Sequence, residues 1–137
     1  MRSRVFFDSN VLIYAYTQDA AKTLRAQEVF SFGGVVSIQC LNETANTLCR
    51  TFKTPWPRIA QIIEAILQRC PDPQPVSLET HRSALRICER YGFSVYDGLI
   101  IAAALESRCT TLYTEDLQHG QTIEGLRIVN PFKEAGN

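Results

Sequence analysis

Short apolar segments alternate with longer segments of helical periodicity along the whole chain, and this alternation limits the possible folds more than any other feature. The apolar segments predict strands at residues 5–7, 35–38, 75–78, 110–114 and 126–129. Apolar residues at helical spacing predict helices over residues 11–30, 41–52, 59–67, 79–91 and 96–105. Strands that alternate with helices form parallel sheets covered on both faces, so we expect an α/β fold.

Two of the predicted helices have features that a structure can test. In the helix over residues 79–91, Leu85, Cys88 and Tyr91 are expected to lie on one face, and Gly92 is a suitable residue to end the helix. The helix over residues 96–105 is apolar almost all round, which predicts that it is buried.

The composition is that of an ordinary globular protein. Hydrophobic residues make up 45% of the 137 residues and charged residues 20%. Fourteen basic residues balance fourteen acidic ones, so no overall positive field attracts nucleic acid or an anionic membrane. No apolar run approaches the roughly 18 residues that a bilayer-spanning helix needs. No repeat or long linker divides the chain, so we expect a single domain over residues 1–137.

The cysteines and the N-terminus favour a cytoplasmic location. The five cysteines are an odd, scattered set without a C-x-x-C pair, which favours reduced, mostly buried thiols over a disulfide framework or a zinc site. The N-terminal sequence MRSRVFF is interrupted by Asp8 and Asn10 too early for the apolar core of a signal peptide.

Four acidic residues are predicted at strand ends or helix starts. Asp8 directly follows the first strand in RVFFDSNVLI, and Glu43 falls in the first turn of the helix after VVSI. Asp97 opens the helix YDGLIIAAAL, and Asp116 follows the strand TTLYT. In an open parallel sheet, ligands bind outside the carboxyl ends of the strands, where these four side chains can meet.

A cluster of carboxylates requires a compensating cation. Two unit charges about 4 Å apart repel each other by roughly 4 kcal/mol at an effective dielectric constant of about 20. Hard oxygen ligands with few imidazoles favour Mg²⁺ or Mn²⁺ over zinc. We refer to Asp8, Glu43, Asp97 and Asp116 as the acidic quartet.

Each member of the acidic quartet also has a purely structural interpretation. Asp8 can form an Asx turn or cap a helix, and Glu43 can stabilise a helix dipole. Asp97 with Ser94 has the spacing of a capping box. Asp116 can cap a turn, with the neighbouring Glu115 as the ligand instead. The joint placement of the four residues, and no one of them alone, supports a site.

Four motifs in this order resemble those of the PIN-domain family. They are FFDSNVLIYA, LNETANTL, YDGLIIAAAL and LYTEDLQHG, and they extend over the whole chain. The length and local contexts are most similar to the VapC-type toxins of bacterial toxin–antitoxin pairs. The resemblance implies a three-layer α/β/α sandwich with a mostly parallel sheet of about five short strands. It also implies a magnesium- or manganese-dependent endoribonuclease that a cognate antitoxin inhibits.

Carried over residue by residue, the resemblance makes the acidic quartet the catalytic and metal-binding set. Asp8 and Asp97 are then expected to contact the metal directly, and Glu43 and Asp116 to complete its coordination. Asn10 matches the polar residue of the first motif and Thr114 the hydroxyl residue before the last acid. Both are expected to orient the carboxylates. Gly98 stands where many relatives carry Ala.

Contacts to RNA are less clearly marked in the sequence. The basic residues Arg50, Lys53 and Arg58 flank TFKTPWP, where Trp56 is available for stacking on bases and Phe52 is expected in the core. The sequence leaves open whether these basic residues bind RNA or are simply solvated. The two histidines, His81 and His119, are expected to be ordinary surface residues.

Other enzyme classes fit the sequence less well. A haloacid-dehalogenase-like phosphatase needs D-x-D, but Asn10 occupies the second position. A response-regulator receiver needs an adjacent acidic pair early in the chain and a late lysine, and neither feature is recognisable here. A nucleotide-binding protein is not indicated either, because no glycine-rich nucleotide-binding motif is present. The remaining alternative is a non-catalytic PIN-like module that binds RNA or a protein.

The resemblance also predicts protein partners. A carboxylate cluster suits a guanidinium, so an antitoxin is expected to place an Arg or Lys among Asp8, Asp97 and Asp116. Leu12, Tyr14 and Tyr16 are candidates for the adjacent groove. They are alternatively core residues or part of a homodimer contact, and a homodimer is expected.

Overall fold

The computed structural model describes residues 4–134, which form four strands and seven helices. The strands are β1 (Val5–Phe7), β2 (Thr111–Tyr113), β3 (Thr122–Ile123) and β4 (Leu126–Val129). The helices are α1 (Ser9–Ala15), α2 (Ala20–Phe30), α3 (Ile38–Arg50), α4 (Trp56–Arg69), α5 (Leu78–Tyr91), α6 (Val95–Glu106) and α7 (Pro131–Glu134). The predicted α/β class with a three-layer α/β/α sandwich and a mostly parallel sheet is confirmed.

The sheet has the strand order β1-β2-β4-β3. The strands β1, β2 and β4 are parallel, with Phe6 opposite Leu112 and Leu112 opposite Ile128. These three side chains are fully buried, so the centre of the sheet lies in the hydrophobic core. Because the three strands run in one direction, their carboxyl ends lie at one edge of the sheet.

The sequence did not predict the antiparallel strand β3. It joins β4 through a two-residue turn, Glu124 and Gly125, both of which have positive φ angles of 50° and 90°. Such φ values are those of the tight hairpin turns whose twist matches that of the flanking strands. A two-residue strand is too short to give a periodic signal, although the dipeptide Glu-Gly between apolar residues is a weak sign of the turn.

Two predicted strands are wrong. Residues 35–38 contribute only isolated parallel bridges, from Val35 to Phe6 and from Ser37 to Gln74, and residues 75–78 form no bridge. Ser37 instead caps α3, and its hydroxyl accepts a hydrogen bond from the Cys40 backbone at 3.2 Å. Ser77 has the same effect on residues 75–78, because it forms a reciprocal capping box at the start of α5.

The helical segment predicted over residues 11–30 is two helices. The first ends at its C-cap Tyr16, and Asp19 begins the second by accepting a hydrogen bond from the Lys22 backbone at 3.4 Å. The start of α1 also differs, because Asp8 caps that helix directly after β1. No residue therefore separates the first strand from the first helix except this aspartate.

The face of α5 that carries Leu85, Cys88 and Tyr91 is only partly covered: Cys88 and Tyr91 are half-buried, and Tyr91 packs against the hydrophobic core. Thr80, Ala84 and Ile87 are buried, whereas Leu85 is 48% exposed. Gly92 ends the helix as predicted, in the left-handed conformation with a φ angle of 80°.

The helix α6 is buried as predicted, and Gly98 allows it to approach α5 closely. All seven residues from 98 to 104 are buried. A Cβ atom on Gly98 would lie 2.5 Å from the Cys88 Sγ atom and 2.9 Å from the Ala84 carbonyl oxygen. Position 98 therefore suits glycine, because the neighbouring helix occupies the space that a larger side chain would need.

All five cysteines are free thiols, of which Cys40, Cys70 and Cys109 are buried. Burial raises the pKa of the Cys70 thiol to about 12 and that of Cys109 to about 11, so both stay protonated at neutral pH. Within residues 4–134, no helix combines the length and the apolar character that a transmembrane span requires.

Candidate active site

The four carboxylates of the acidic quartet line one cleft at the carboxyl edge of the sheet. Asp8 follows β1, Asp116 follows β2, and Asp97 lies in the first turn of α6. Glu43 lies one turn further into its helix than predicted, because α3 begins at Ile38. The cleft has a volume of about 260 Å³, and we call it the acidic cleft. It is lined by Asp8, Ser9, Glu43, Asn46, Thr47, Tyr96, Asp97, Ile100 and Asp116.

Asp8 is the most buried member of the acidic quartet, with 5% of its surface exposed. Its Oδ1 atom accepts a hydrogen bond from the Ser9 backbone at 2.6 Å, and its Oδ2 atom accepts one from the Thr114 hydroxyl at 2.8 Å. Burial raises the pKa of Asp8 from 3.8 to about 6, and the neighbouring Asp116 and Glu43 charges add to this rise. The ionised form of Asp8 is therefore destabilised unless a cation lies nearby.

Thr114 and Asn10 connect Asp8 to Asp116. The Thr114 hydroxyl, which donates to Asp8, accepts hydrogen bonds from the Asp116 backbone at 3.1 Å and from the Asn10 amide at 3.2 Å. The Asn10 amide also donates to the Asp116 carboxylate at 3.1 Å, and its oxygen accepts from the Glu115 backbone at 3.3 Å. These two side chains therefore hold the segment after β2 against the start of α1.

Ser9 makes the corresponding link to Glu43, and the sequence did not single it out. Its hydroxyl donates a hydrogen bond to the Glu43 carboxylate at 3.2 Å and lies 3.4 Å from an Asp8 oxygen. Gln39 donates to the other Glu43 oxygen at 3.3 Å. A serine directly after an aspartate is common in turns, so its position alone gave no sign of this role.

The Asp97 side chain is not used as a helix cap. Its backbone nitrogen donates to the Ser94 hydroxyl at 3.3 Å, which is half of the capping box that the sequence suggested. The return bond from the Ser94 backbone to the Asp97 carboxylate is not formed, so the carboxylate lines the cleft instead. Partial burial, followed by the Asp116 charge, raises the pKa of Asp97.

A family model described as the PIN domain matches residues 5–122. The chain belongs to the PIN-domain family. That match includes all four members of the acidic quartet, so the family resemblance suggested by the sequence motifs is confirmed.

Solved structures of toxin–antitoxin proteins share this PIN fold. A toxin–antitoxin complex from Klebsiella pneumoniae has 18% sequence identity and a TM-score of 0.71, over 93% of this chain and 97% of the other. The sarcin–ricin-loop-cleaving toxin VapC20 of Mycobacterium tuberculosis has 18% identity and a TM-score of 0.66, over 82% and 89%. DNA-bound VapBC from Salmonella typhimurium has 17% identity and a TM-score of 0.65, over 93% and 97%. A comparison with curated protein sequences gave no significant match.

The PIN carboxylates interact as a chain of neighbours. The charges of Glu43 and Asp116 both contribute to the raised pKa of Asp8, and the charge of Asp116 contributes to the raised pKa of Asp97. No Lys or Arg is among the residues that line the acidic cleft. The local charge is therefore strongly negative although the whole chain is neutral.

The donor chemistry of this PIN site fits a hard divalent cation. Among residues 4–134, no three Asp, Glu, His or Cys side chains converge closely enough to enclose one ion. Mg²⁺ characteristically keeps several water ligands and needs only one or two protein carboxylates. The acidic cleft, with carboxylates on separate walls and room for water, suits such a partly hydrated ion better than a fully coordinated one.

Two polar residues near the cleft serve other contacts. The Glu115 carboxylate lies 3.4 Å from the Lys22 ammonium group and accepts a hydrogen bond from the Tyr14 hydroxyl, so it does not line the cleft. The His119 Nδ1 atom accepts a hydrogen bond from the Asn130 backbone at 2.9 Å. These contacts give both residues a structural explanation.

The residues suggested for RNA binding lie on the surface outside the acidic cleft. Arg50, Lys53 and Arg58 are exposed, and Trp56 is 63% exposed. The prediction that Phe52 is a core residue is wrong, since it is 48% exposed. The helix α3 ends at Arg50, so Phe52 falls beyond the last turn and does not continue its buried stripe.

Phe52 instead lines a second depression of about 590 Å³, which we call the apolar groove. Its walls are formed by Tyr14, Tyr16, Thr17, Gln18, Asp19, Leu48, Phe52 and Thr54. Tyr14 and Tyr16 thus lie where the sequence placed a groove. Leu12 does not contribute to it, because its side chain is fully buried in the core.

Proposed function

We propose that this PIN-domain protein is a metal-dependent endoribonuclease and the toxin of a toxin–antitoxin pair. The observation that carries the proposal is the convergence of the acidic quartet on one cleft at the carboxyl edge of a parallel sheet. A structural role explains one buried or capping carboxylate, but it does not explain four that repel one another.

The proposed cofactor is Mg²⁺ or Mn²⁺, with Asp8 and Asp97 as direct ligands and Glu43 and Asp116 acting through water or a second ion. A bound divalent ion would supply an activated water and neutralise the charge that develops on the phosphate. The raised pKa of Asp8 supports this assignment, because a buried carboxylate without a cation is costly to ionise.

The remaining polar residues of the site are proposed to fix the carboxylates in place. Thr114 and Asn10 restrict the rotation of Asp8 and Asp116, and Ser9 restricts that of Glu43. Orientation of this kind lowers the cost of arranging ligands when the ion and the phosphate bind. These groups would act through the carboxylates and not on the RNA itself.

The proposed partner is an antitoxin that covers both the acidic cleft and the apolar groove. Structures of toxin–antitoxin complexes with the same fold support this partner. An Arg or Lys of the antitoxin would lie among Asp8, Asp97 and Asp116, where the cleft lining offers no cation of its own. Apolar antitoxin residues would pack on Tyr14, Tyr16 and Phe52. A homodimer is also proposed, and sedimentation velocity of the purified protein tests it.

The test of the proposed activity is incubation of the purified protein with RNA in magnesium, in manganese and in EDTA. Cleavage that requires the metal and disappears in an Asp8→Asn variant, purified in the same way, supports the proposal. The paired variant is essential because contaminating ribonucleases degrade RNA equally in both preparations. Tight RNA binding without metal-dependent cleavage would instead favour a non-catalytic PIN-like module.

A further inference from the structure

Three polar side chains of the acidic cleft make no hydrogen bond within residues 4–134. They are Asn46, Thr47 and Tyr96, whose amide, hydroxyl and phenol groups remain free for a ligand. Tyr96 is 60% exposed, and Asn46 is exposed as well. In contrast, Ser9 and the Asn10–Thr114 pair direct their hydrogen bonds to the carboxylates. The polar residues at the site therefore divide into a group that orients the acids and a group without internal partners.

The free group lies beside the acids on both walls of the cleft. Asn46 and Thr47 follow Glu43 by three and four residues on α3, which places them on the same helix face. Tyr96 directly precedes Asp97 in the first turn of α6. Each wall thus carries one acid next to a neutral group that can contact a ligand.

The charge of the cleft restricts how a nucleic acid can be held there. The lining contains four carboxylates and no Lys or Arg, so phosphate groups are repelled wherever the metal does not neutralise them. Affinity close to the reacting phosphate must therefore come from neutral contacts. Stacking of a base on an aromatic ring is such a contact, and it does not depend on phosphate charge.

We infer that Tyr96 stacks on the base of an unpaired nucleotide next to the phosphate that is cleaved, and that Asn46 and Thr47 face the polar edge of that nucleotide. This inference rests on the proposed ribonuclease function and adds to it the side chains that hold the nucleotide next to the cleaved bond. A base inside an A-form duplex is already stacked on its neighbours, whereas bases in loops and single strands are free to turn outward.

Other exposed aromatic residues do not meet the same conditions. Phe32 is 85% exposed and Trp56 is 63% exposed, but neither lines the acidic cleft. Phe52 lines the apolar groove instead. Among the described aromatic residues, Tyr96 alone combines exposure with a position among the carboxylates.

The test compares Tyr96→Ala with Tyr96→Phe, and uses Phe32→Ala as a control at an exposed aromatic outside the site. The substrate is a single-stranded oligoribonucleotide that carries 2-aminopurine beside the cleaved bond, together with the same strand in a duplex. Loss of stacking is expected to lower kcat/KM about 5- to 100-fold in Tyr96→Ala, while Tyr96→Phe keeps most of the activity. The wild type is expected to cleave the single strand in preference to the duplex.

A fluorescence measurement separates this inference from the proposed function. Stacking quenches 2-aminopurine, so mixing the RNA with wild-type protein in calcium instead of magnesium is expected to lower the fluorescence, and Tyr96→Ala is expected to abolish that change. Normal cleavage and quenching by Tyr96→Ala would overturn the inference and leave the ribonuclease assignment intact. Quenching that depends on Tyr96 but is not accompanied by any cleavage would support the contact between Tyr96 and the base and would refute the proposed ribonuclease function. An equal loss in Phe32→Ala would show that the effect is not specific to the cleft and would also overturn the inference.

Discussion

The effect of Asp8→Asn on the stability of the metal-free protein is predicted to depend on pH. The free energy of unfolding of the variant, relative to that of the wild type, should be higher at neutral pH than at acid pH. The folded-state pKa of Asp8 is raised from 3.8 to about 6, so the folded protein holds this proton more tightly than the unfolded chain does. That difference corresponds to about 3 kcal/mol of stability. It is fully present below the unfolded pKa and is lost as the pH rises through the folded pKa.

The expected magnitude follows from the same two pKa values. At about pH 4.5 roughly 2 kcal/mol of this stabilisation remains, and at about pH 7.5 almost none does. An asparagine side chain carries no titrating proton, so the free energy of unfolding of Asp8→Asn relative to wild type should rise by about 2 kcal/mol between these pH values. The Asn side chain also replaces one acceptor oxygen by an amide donor, so a hydrogen bond from the Ser9 backbone or the Thr114 hydroxyl is weakened at both pH values, which leaves the change of about 2 kcal/mol between them intact.

Urea denaturation at the two pH values, in EDTA, measures this change. A destabilisation of Asp8→Asn that is equal at both pH values would refute the reasoning and make the carboxylate mainly a helix cap for α1. Added magnesium is a second control, since it should stabilise the wild type by mass action and the variant much less.

Three further predictions concern activity, packing and inhibition. Asp97→Asn is expected to remove most of the metal-dependent cleavage, on the order of 100-fold or more, whereas Glu115→Gln and His119→Ala keep it; cleavage rates on one oligoribonucleotide test this. Gly98→Ala is expected to lower the free energy of unfolding by about 1–3 kcal/mol, because the added Cβ would overlap the Cys88 Sγ atom; Cys88→Ala in the same chain should restore part of it. Binding of the proposed antitoxin is expected to weaken as magnesium rises, beyond the effect of sodium chloride at equal ionic strength, which titration calorimetry measures.

Each of these predictions has a clear contrary result. Full activity of Asp97→Asn would remove Asp97 from the proposed metal site. A Gly98→Ala protein as stable as the wild type would mean that α5 and α6 separate without cost. Equal antitoxin affinity in both buffers would show that inhibition blocks RNA access and leaves the metal site untouched.

The sequence predicted the location of the site well because topology determines it. Asp8 and Asp116 follow adjacent parallel strands, so their meeting requires only that both segments are strands of one sheet. The same argument does not determine how deep in a helix an acid lies. Glu43 fell one turn from its predicted position because Ser37 ends the preceding extended segment and starts α3 early.

Features that depend on the neighbours of a residue were predicted less well. Leu85 and Phe52 are apolar and fit a helical stripe, yet both are about half exposed, because the packing of α5 on α6 and the end of α3 decide which side is covered. The link from Ser9 to Glu43 joins residues 34 positions apart, and local sequence carries no signal for it. The separation of the carboxylates in space likewise depends on side-chain orientation and not on order along the chain.

The way in which the sheet ends limits how other chains can attach to this protein. At one side the outermost strand, β3, has only two residues, and at the other the backbone of β1 is already bonded to Val35 at 2.9 Å and 3.0 Å. Neither edge offers a long row of unpaired amide and carbonyl groups on which a foreign strand could extend the sheet. A partner must therefore bind through side chains on the helices and grooves, and the protein is protected against the edge-to-edge association that leads to aggregation.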